Sequence, residues 1–311
     1  MIVWILFIIG IIIFLALDLG VFNKNPHVIN SKEAGVWTLV WVSLSFAFSG
    51  VIYWLYSGGV HIDNPDNLLP QDAMIKYITG YLIELSLSID NIFVIAIIFA
   101  SFKIPPMYQH RVLFWGILGA VVFRGLMIFL GVMLIHKFSW MTYVFGAFLV
   151  YTALKMLFKK DEDFHPKKSI VFRMLKRIMP ITTEIENEQF FVKRKHITAA
   201  TPLFVALVVI EMMDVVFAID SVPAILSITS DPFLVFSSNI FAILGLRSMY
   251  FFLANMLERF SYLEYSLIAI LSFVGIKMLI VHYFKFPEWV SLGFIGFALA
   301  TGILVSLAKR R

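Results

Sequence analysis

Glu84-Leu85-Ser86-Leu87-Ser88-Ile89-Asp90-Asn91 and Asp214-Val215-Val216-Phe217-Ala218-Ile219-Asp220-Ser221 are two copies of one pattern: an acid, five residues, a second acid, then a small polar residue. Both copies lie inside apolar runs of membrane length. A carboxylate within a bilayer span costs about 2.5–3.5 kcal/mol even on the mildest scales, so it is rarely there without a partner or a task. The same arrangement twice implies one site assembled from two halves.

The surrounding chain fits that setting. It is 60% hydrophobic and 14% charged, with a mean hydropathy of +0.90, which is the composition of a membrane protein. Nine apolar runs reach spanning length: 2–22, 36–56, 77–102, 112–135, 140–158, 202–228, 233–257, 262–284 and 289–308. The first has no basic leader before it and no small-residue cleavage site after it, so it reads as a retained helix. There is no cysteine, hence no disulfide framework and no thiolate metal site.

The net charge of +5 reads as topology rather than nucleic-acid affinity. The polar stretch 159–200 holds ten Lys/Arg against six Asp/Glu. With that stretch in the cytoplasm, 18 Lys/Arg lie inside and three outside, as the positive-inside rule requires. The expected protein is multi-pass, with its N-terminus outside and its C-terminus inside.

With Asp90 aligned on Asp220, the likeness continues. Leu118–Arg124 answers Phe241–Arg247, and Leu154-Lys155-Met156-Leu157 answers Ile276-Lys277-Met278-Leu279. Each unit holds three spans, so the second must enter the membrane from the opposite side. The expected fold is all-α, polytopic, with about nine transmembrane helices and an inverted 3+3 repeat, whose site would lie near the midplane. The organisation is then two peripheral helices and an outer loop (1–76), the first triplet (77–158), a basic cytoplasmic loop (159–200), the second triplet (201–285), and a final helix with a basic tail (286–311).

Glu84 and Asp90 differ by about 120° around a helix and about 9 Å along it, whereas Glu84 and Asn91 share a face. A small distortion would bring all three to one ion. Pro223 supplies no N–H, so the carbonyl of Ile219 loses its helical partner and becomes a possible ligand beside Asp220 and Ser221; an ordinary kink repaired by Ser221 or water is the alternative. The expected cation ligands are Glu84, Asp90, Asn91, Asp214, Asp220 and Ser221, supported by Arg124, Arg247, Glu211, Ile219 and Pro223. Buried ion pairs with Arg124 and Arg247 that merely fix helix packing are the competing reading. Four carboxylates, two arginines and one divalent cation would be electrically neutral. Asp18 reads as a helix-end group.

Oxygen ligands suit Mg²⁺, Ca²⁺ and Mn²⁺. Met212 and Met213 flank the second motif; a thioether there favours Mn²⁺, and lipid-facing or packing methionines are the plainer alternative. No Walker loop, dinucleotide fingerprint or H-E-x-x-H occurs. A carrier, not an enzyme, is expected, with no cofactor. Phe172, Leu175, Ile178 and Met179 among Lys and Arg form an amphipathic pattern, open between a helix on the inner leaflet and a solvated linker.

At these residues the chain resembles the TerC/Alx family of bacterial membrane proteins. The likeness runs through Gly80–Glu84 and Asp90–Phe93, Glu211 with Asp214, Asp220–Ile225, Asn187–Val192 and Phe241–Arg247. It implies Mn²⁺ export, with Mn²⁺ as transported substrate; alternating access is the expected route, and protons are the expected counter-substrate because protonating a carboxylate removes its affinity for metal. A partner protein that assists metalation or assembly of exported proteins, and a carrier of Ca²⁺ or an amino acid, are the alternatives.

Overall fold

The computed structural model describes residues 2–20, 30–59, 62, 64, 67–138, 140–158, 169–182, 185, 188–194, 197–254, 263–280, 283–284 and 287–308. Among these residues the chain forms α1 (Ile2–Gly20), α2 (Ser31–Trp54), α3 (Pro70–Ser101), α4 (Pro106–Lys137), α5 (Met141–Phe158), α6 (Ile170–Ile178), β1 (Phe191–Arg194), β2 (Ile197–Ala200), α7 (Pro202–Leu226), α8 (Pro232–Ala254), α9 (Leu263–Ile280) and α10 (Glu288–Ala308). A π-helical turn, Leu55–Gly59, extends α2 and passes through Gly58 at φ 93°, a conformation open to glycine because it has no Cβ. The all-α expectation holds apart from one small antiparallel hairpin, in which Phe191 faces Ala200 and Arg194 faces Ile197.

Proline marks where the central helices begin. Each of α3, α4 and α7 carries one in its first turn, and α8 starts on Pro232. A first-turn residue has no intrahelical use for its N–H, so proline costs nothing there and its fixed φ suits the helix. Asp231 completes the start of α8. Its Oδ1 accepts from the amides of Phe233 and Leu234 at 2.9 and 3.2 Å, and its Oδ2 accepts from the Tyr56 hydroxyl at 2.7 Å.

The helices overrun the apolar segments read from the sequence. α3 and α4 have 32 residues each, about 48 Å at 1.5 Å per residue, against a hydrocarbon core of about 30 Å. Hydropathy sees only the lipid-immersed part, so polar end turns containing Gln71, Asp72 and Gln109 were missed. Lys76 uses such an overhang to donate to the Ile228 carbonyl, at 2.7 Å. Seven helices among the described residues, α2 to α5, α7, α8 and α10, are long and apolar enough to cross a membrane, and Ile2–Ala16 is a shorter apolar helix.

α3–α5 and α7–α9 interlock as triplets. α3 packs along α8 and α4 along α7, while like helices also pair, α3 with α7, α4 with α8 and α5 with α9. Exchanging the triplets leaves these pairings unchanged. α8 is buried over most of its length, whereas α4 presents Val122, Leu126 and Phe129 on an exposed apolar face. The α5–α9 crossing is tight: a Cβ on Gly275 would lie 2.9 Å from the Gly146 carbonyl oxygen, the close backbone approach that small residues permit in membranes. α2 lies outside the triplets against α3 and α8, and α10 against α3 and α9.

The segment around α6 and the hairpin is held against one end of this bundle, called here the basic end. Phe172 meets Phe102 at 5.7 Å between ring centroids. Arg111 of α4 pairs with Glu188 at 3.2 Å and lies over the Phe190 ring. The Thr201 hydroxyl donates to the Gln189 carbonyl at 2.7 Å.

Candidate functional site

The exchange relation predicts where the two acidic motifs meet. α3 and α7 pack together, and α4 runs beside both. Glu84 of α3 is completely buried and Arg124 of α4 is 1% exposed. The Arg124 guanidinium pairs through Nη1 with Glu84 Oε1 and donates through Nη2 to Asp214 Oδ1 at 2.8 Å. One cationic fork therefore bridges the first acid of each motif, across the triplet boundary. Charge-assisted contacts of this kind are short and strong, and in a buried setting they offset a desolvation cost of several kcal/mol per ion.

The bridge leaves oxygen valences open. Glu84 Oε2 and Asp214 Oδ2 are buried without a hydrogen-bond partner, as is Oε2 of Glu211, one turn before Asp214. A buried acceptor without a partner costs about 1–3 kcal/mol, so a further donor or a cation at these oxygens would stabilise the cluster. Ser88 adds only a long contact of 3.5 Å to Glu84 Oε1. Glu211 fits here because α4 has Gly119 opposite it: a Cβ at residue 119 would fall on the Glu211 carboxyl group.

Towards the basic end, a cavity of about 30 Å³ adjoins the bridge. That is room for about one water-sized species. Its polar lining comes from Asn91, Asp214 and Arg247, with Met213 beside them. Met212, by contrast, is 45% exposed on the outside of the bundle. Asn91 thus stands on the face of α3 that Glu84 uses, as seven-residue spacing requires.

Asp220 belongs to a different neighbourhood. It lies about 9 Å along α7 from Asp214 and turns to α5, where the Thr152 hydroxyl donates to its Oδ1 at 3.2 Å and Lys155 is an electrostatic neighbour. The backbone of Asp90 continues α3, and its side chain, like that of Asp18, lies outside the described residues. Among the described residues no three His, Asp or Glu side chains converge as a metal cluster. α7 runs helical through Pro223 to Leu226, three residues on, so the chain does not unwind at Ile219. Ser221 does not repair the proline gap either; its buried Oγ makes no hydrogen bond. Lys277 donates to Ser291 Oγ of α10 at 2.9 Å.

Gly119 and Thr152 are the residues the sequence reading passed over. Gly116 and Gly119 form a small-residue stripe on α4 that could have flagged the Glu211 contact. Thr152 has no comparable signal, because it becomes relevant only once α5 is known to face α7.

The family described as "Integral membrane protein TerC family" matches residues 69–311. A Myxococcus xanthus protein described as "Uncharacterized membrane protein STKORF319" is 46% identical over 99% of this chain and 92% of its own length. "Putative membrane-bound redox modulator Alx" of Salmonella typhi is 43% identical over 96% of this chain and 91% of its own. The Escherichia coli K12 protein of the same description is 45% identical over 93% and 89%. No solved structure matches the chain.

Proposed function

The chain belongs to the TerC family, and on that premise we propose that it is a carrier that exports a divalent cation, Mn²⁺, from the cytoplasm by alternating access. The observation that carries this reading is the Arg124 bridge. A guanidinium stands between two carboxylates drawn from the two triplets, with oxygen valences left open on both. A mobile cation that displaced it would find oxygens of Glu84 and Asp214, the Asn91 amide and the Met213 thioether nearby. Oxygen donors accept Mg²⁺, Ca²⁺ and Mn²⁺ alike; a softer sulfur donor favours Mn²⁺.

Placement of the basic end in the cytoplasm follows from the positive-inside rule. The cavity then lies on the cytoplasmic side of the bridge, where an exported ion enters. Asp90 is about 9 Å from Glu84 towards the cytoplasm along α3, and Asp220 about the same distance from Asp214 towards the outside along α7. The acids thus form stations in depth rather than one cage. Proton exchange is the proposed coupling, because protonating a carboxylate removes its affinity for metal. The redox description attached to the Alx relatives needs no thiol in this chain, which has none; an effect on redox balance would follow from the ion carried.

The test is Mn²⁺ flux into proteoliposomes for the wild type, Asp90→Asn and Asp220→Asn. Loss of flux in both supports the stations. Unchanged transport in both removes the site assignment.

A further inference from the structure

The basic segment contains a helix whose surface is divided in a way the bundle alone does not require. α6 begins at Ser169, whose side chain accepts from the Phe172 amide at 3.1 Å, a standard N-cap. Its nine residues, Ile-Val-Phe-Arg-Met-Leu-Lys-Arg-Ile, include three bases and no acid, and Lys176 and Arg177 occupy the last turn, where the helix dipole favours positive charge.

At about 100° per residue, three facets separate around this helix. Val171, Phe172 and Leu175 face the bundle. Leu175 is 9% exposed, and Val171 and Phe172 pack against the apolar cluster at this end of the bundle. Met174 and Ile178, about 40° apart, form the adjoining facet; they are 58% and 74% exposed. Arg173, Lys176 and Arg177 occupy the remaining side and are exposed. Packing against the bundle accounts for the first facet and solvation for the third. Neither accounts for two large apolar side chains standing clear of the protein between them.

Depth identifies what covers them. Phe172 rests on Phe102, where both α3 and its apolar run 77–102 end, so α6 lies where a spanning helix leaves the bilayer. At that level the medium beside the bundle is apolar below and ionic above. We infer that α6 is an interfacial helix wedged between the bundle and the anionic leaflet, with Met174 and Ile178 inserted among the acyl chains and Arg173, Lys176 and Arg177 on the phosphate groups of acidic phospholipids. The division of the helix surface into an apolar edge and a basic edge matches that layered medium, and juxtamembrane bases are attracted to acidic headgroups. Because α6 packs on the end of α3 and on α7, the lipid contact also fixes the covering of the bundle's basic end. The inference does not depend on which ion is carried.

The absence of cysteine makes the test direct. Met174→Cys, Ile178→Cys and Arg173→Cys are made singly in the full chain, nitroxide-labelled, and reconstituted in phosphatidylcholine vesicles with and without phosphatidylglycerol. Collision with oxygen, which concentrates in acyl chains, is compared with collision with a water-soluble nickel chelate. In phosphatidylglycerol-containing vesicles, labels at 174 and 178 should be oxygen-accessible and shielded from nickel, and the label at 173 the reverse. Arg173→Gln with Lys176→Gln and Arg177→Gln should move the 174 and 178 labels towards nickel access. Three results would overturn the inference. In one, 174 and 178 are as nickel-accessible as 173. In another, both are shielded from both reagents, which means a protein covers them. In the third, they are inserted equally in both vesicles and indifferent to the triple change, which removes the acidic-lipid contact.

Discussion

Arg124→Gln separates a structural ion pair from a guanidinium that stands in for the transported cation. The side chain is 1% exposed and its partner Glu84 fully buried, so glutamine leaves a carboxylate without its counter-charge in a low-dielectric interior. Removing one member of a buried pair costs about 3–5 kcal/mol, mostly the penalty of the charge left behind. Glu84→Gln should cost less, since Arg124 retains Asp214 at 2.8 Å. Combined with Arg124→Gln, it should recover part of the loss, a coupling towards the upper end of about 0.5–3 kcal/mol for groups in direct contact. The assay is equilibrium unfolding in mixed micelles across the double-mutant cycle. Mn²⁺ calorimetry on the same proteins adds a second readout. If the guanidinium competes with the ion, Arg124→Gln binds Mn²⁺ at least as tightly as the wild type while transport falls, because no tethered cation displaces the ion on the return. Additive destabilisation below about 1 kcal/mol would refute the buried-pair reasoning. Weaker Mn²⁺ binding in a folded Arg124→Gln would refute the competition.

Gly119→Ala places a methyl group on the Glu211 carboxyl; overpacking of this kind costs about 1–3 kcal/mol, and Glu211→Ser in the same chain should relieve it, read by the same unfolding assay. Thr152→Val keeps the shape and removes the donor to Asp220. Flux should fall while stability changes by about 1 kcal/mol or less, and undiminished flux would take Thr152 off the path.

Much of the fold was legible because the membrane makes the sequence redundant. A span must be apolar for about 20 residues, and a buried acid in such a run is conspicuous. The proline starts at Pro70, Pro106, Pro202 and Pro232 were visible too, but hydropathy weighted them less than the apolar runs, so the long ends of α3 and α4 were cut short. The sequence named candidate residues and not their geometry. Spacing along α3 puts Glu84 and Asn91 on one face. It could not say that Arg124 reaches both first acids at once, because that requires the distance between α3 and α7 as seen from α4. Nor could it separate Asp220 from Asp214: the turn of about 120° over six residues was known, but its meaning depends on α5 standing on that side. α7 stays helical through Pro223 because the proline falls in its last turn, where few helical hydrogen bonds remain to be lost.

The asymmetry between the two motifs now has a physical content. Aligned positions 81 and 211 are tyrosine in the first copy and glutamate in the second, and the residues opposite them, 242 and 119, are alanine and glycine. Glu211 sits over Gly119 with an unsatisfied oxygen. Tyr81 instead packs in an apolar cluster with Phe241 and Ala242 and meets the Phe46 ring at 6.0 Å. Counted along the helices, Glu211 is one turn from the Arg124 bridge towards the basic end, and Tyr81 one turn from it towards the other. The same exchange-related contact is therefore polar, beside a cavity, on one side, and aromatic and close-packed on the other. If the triplets trade roles during transport, the two resulting states cannot be equal in energy: opening the far side must separate packed aromatic groups, whereas opening the basic side exposes a carboxylate to water. The conformation described here, close-packed at Tyr81 and with its cavity at Asp214, is the one this difference favours. Such a bias sets the resting state and the affinity presented on each side. It does no work on an ion, so under the proposed function net export would require a coupled gradient, and the buried carboxylates are the groups through which protons would supply it.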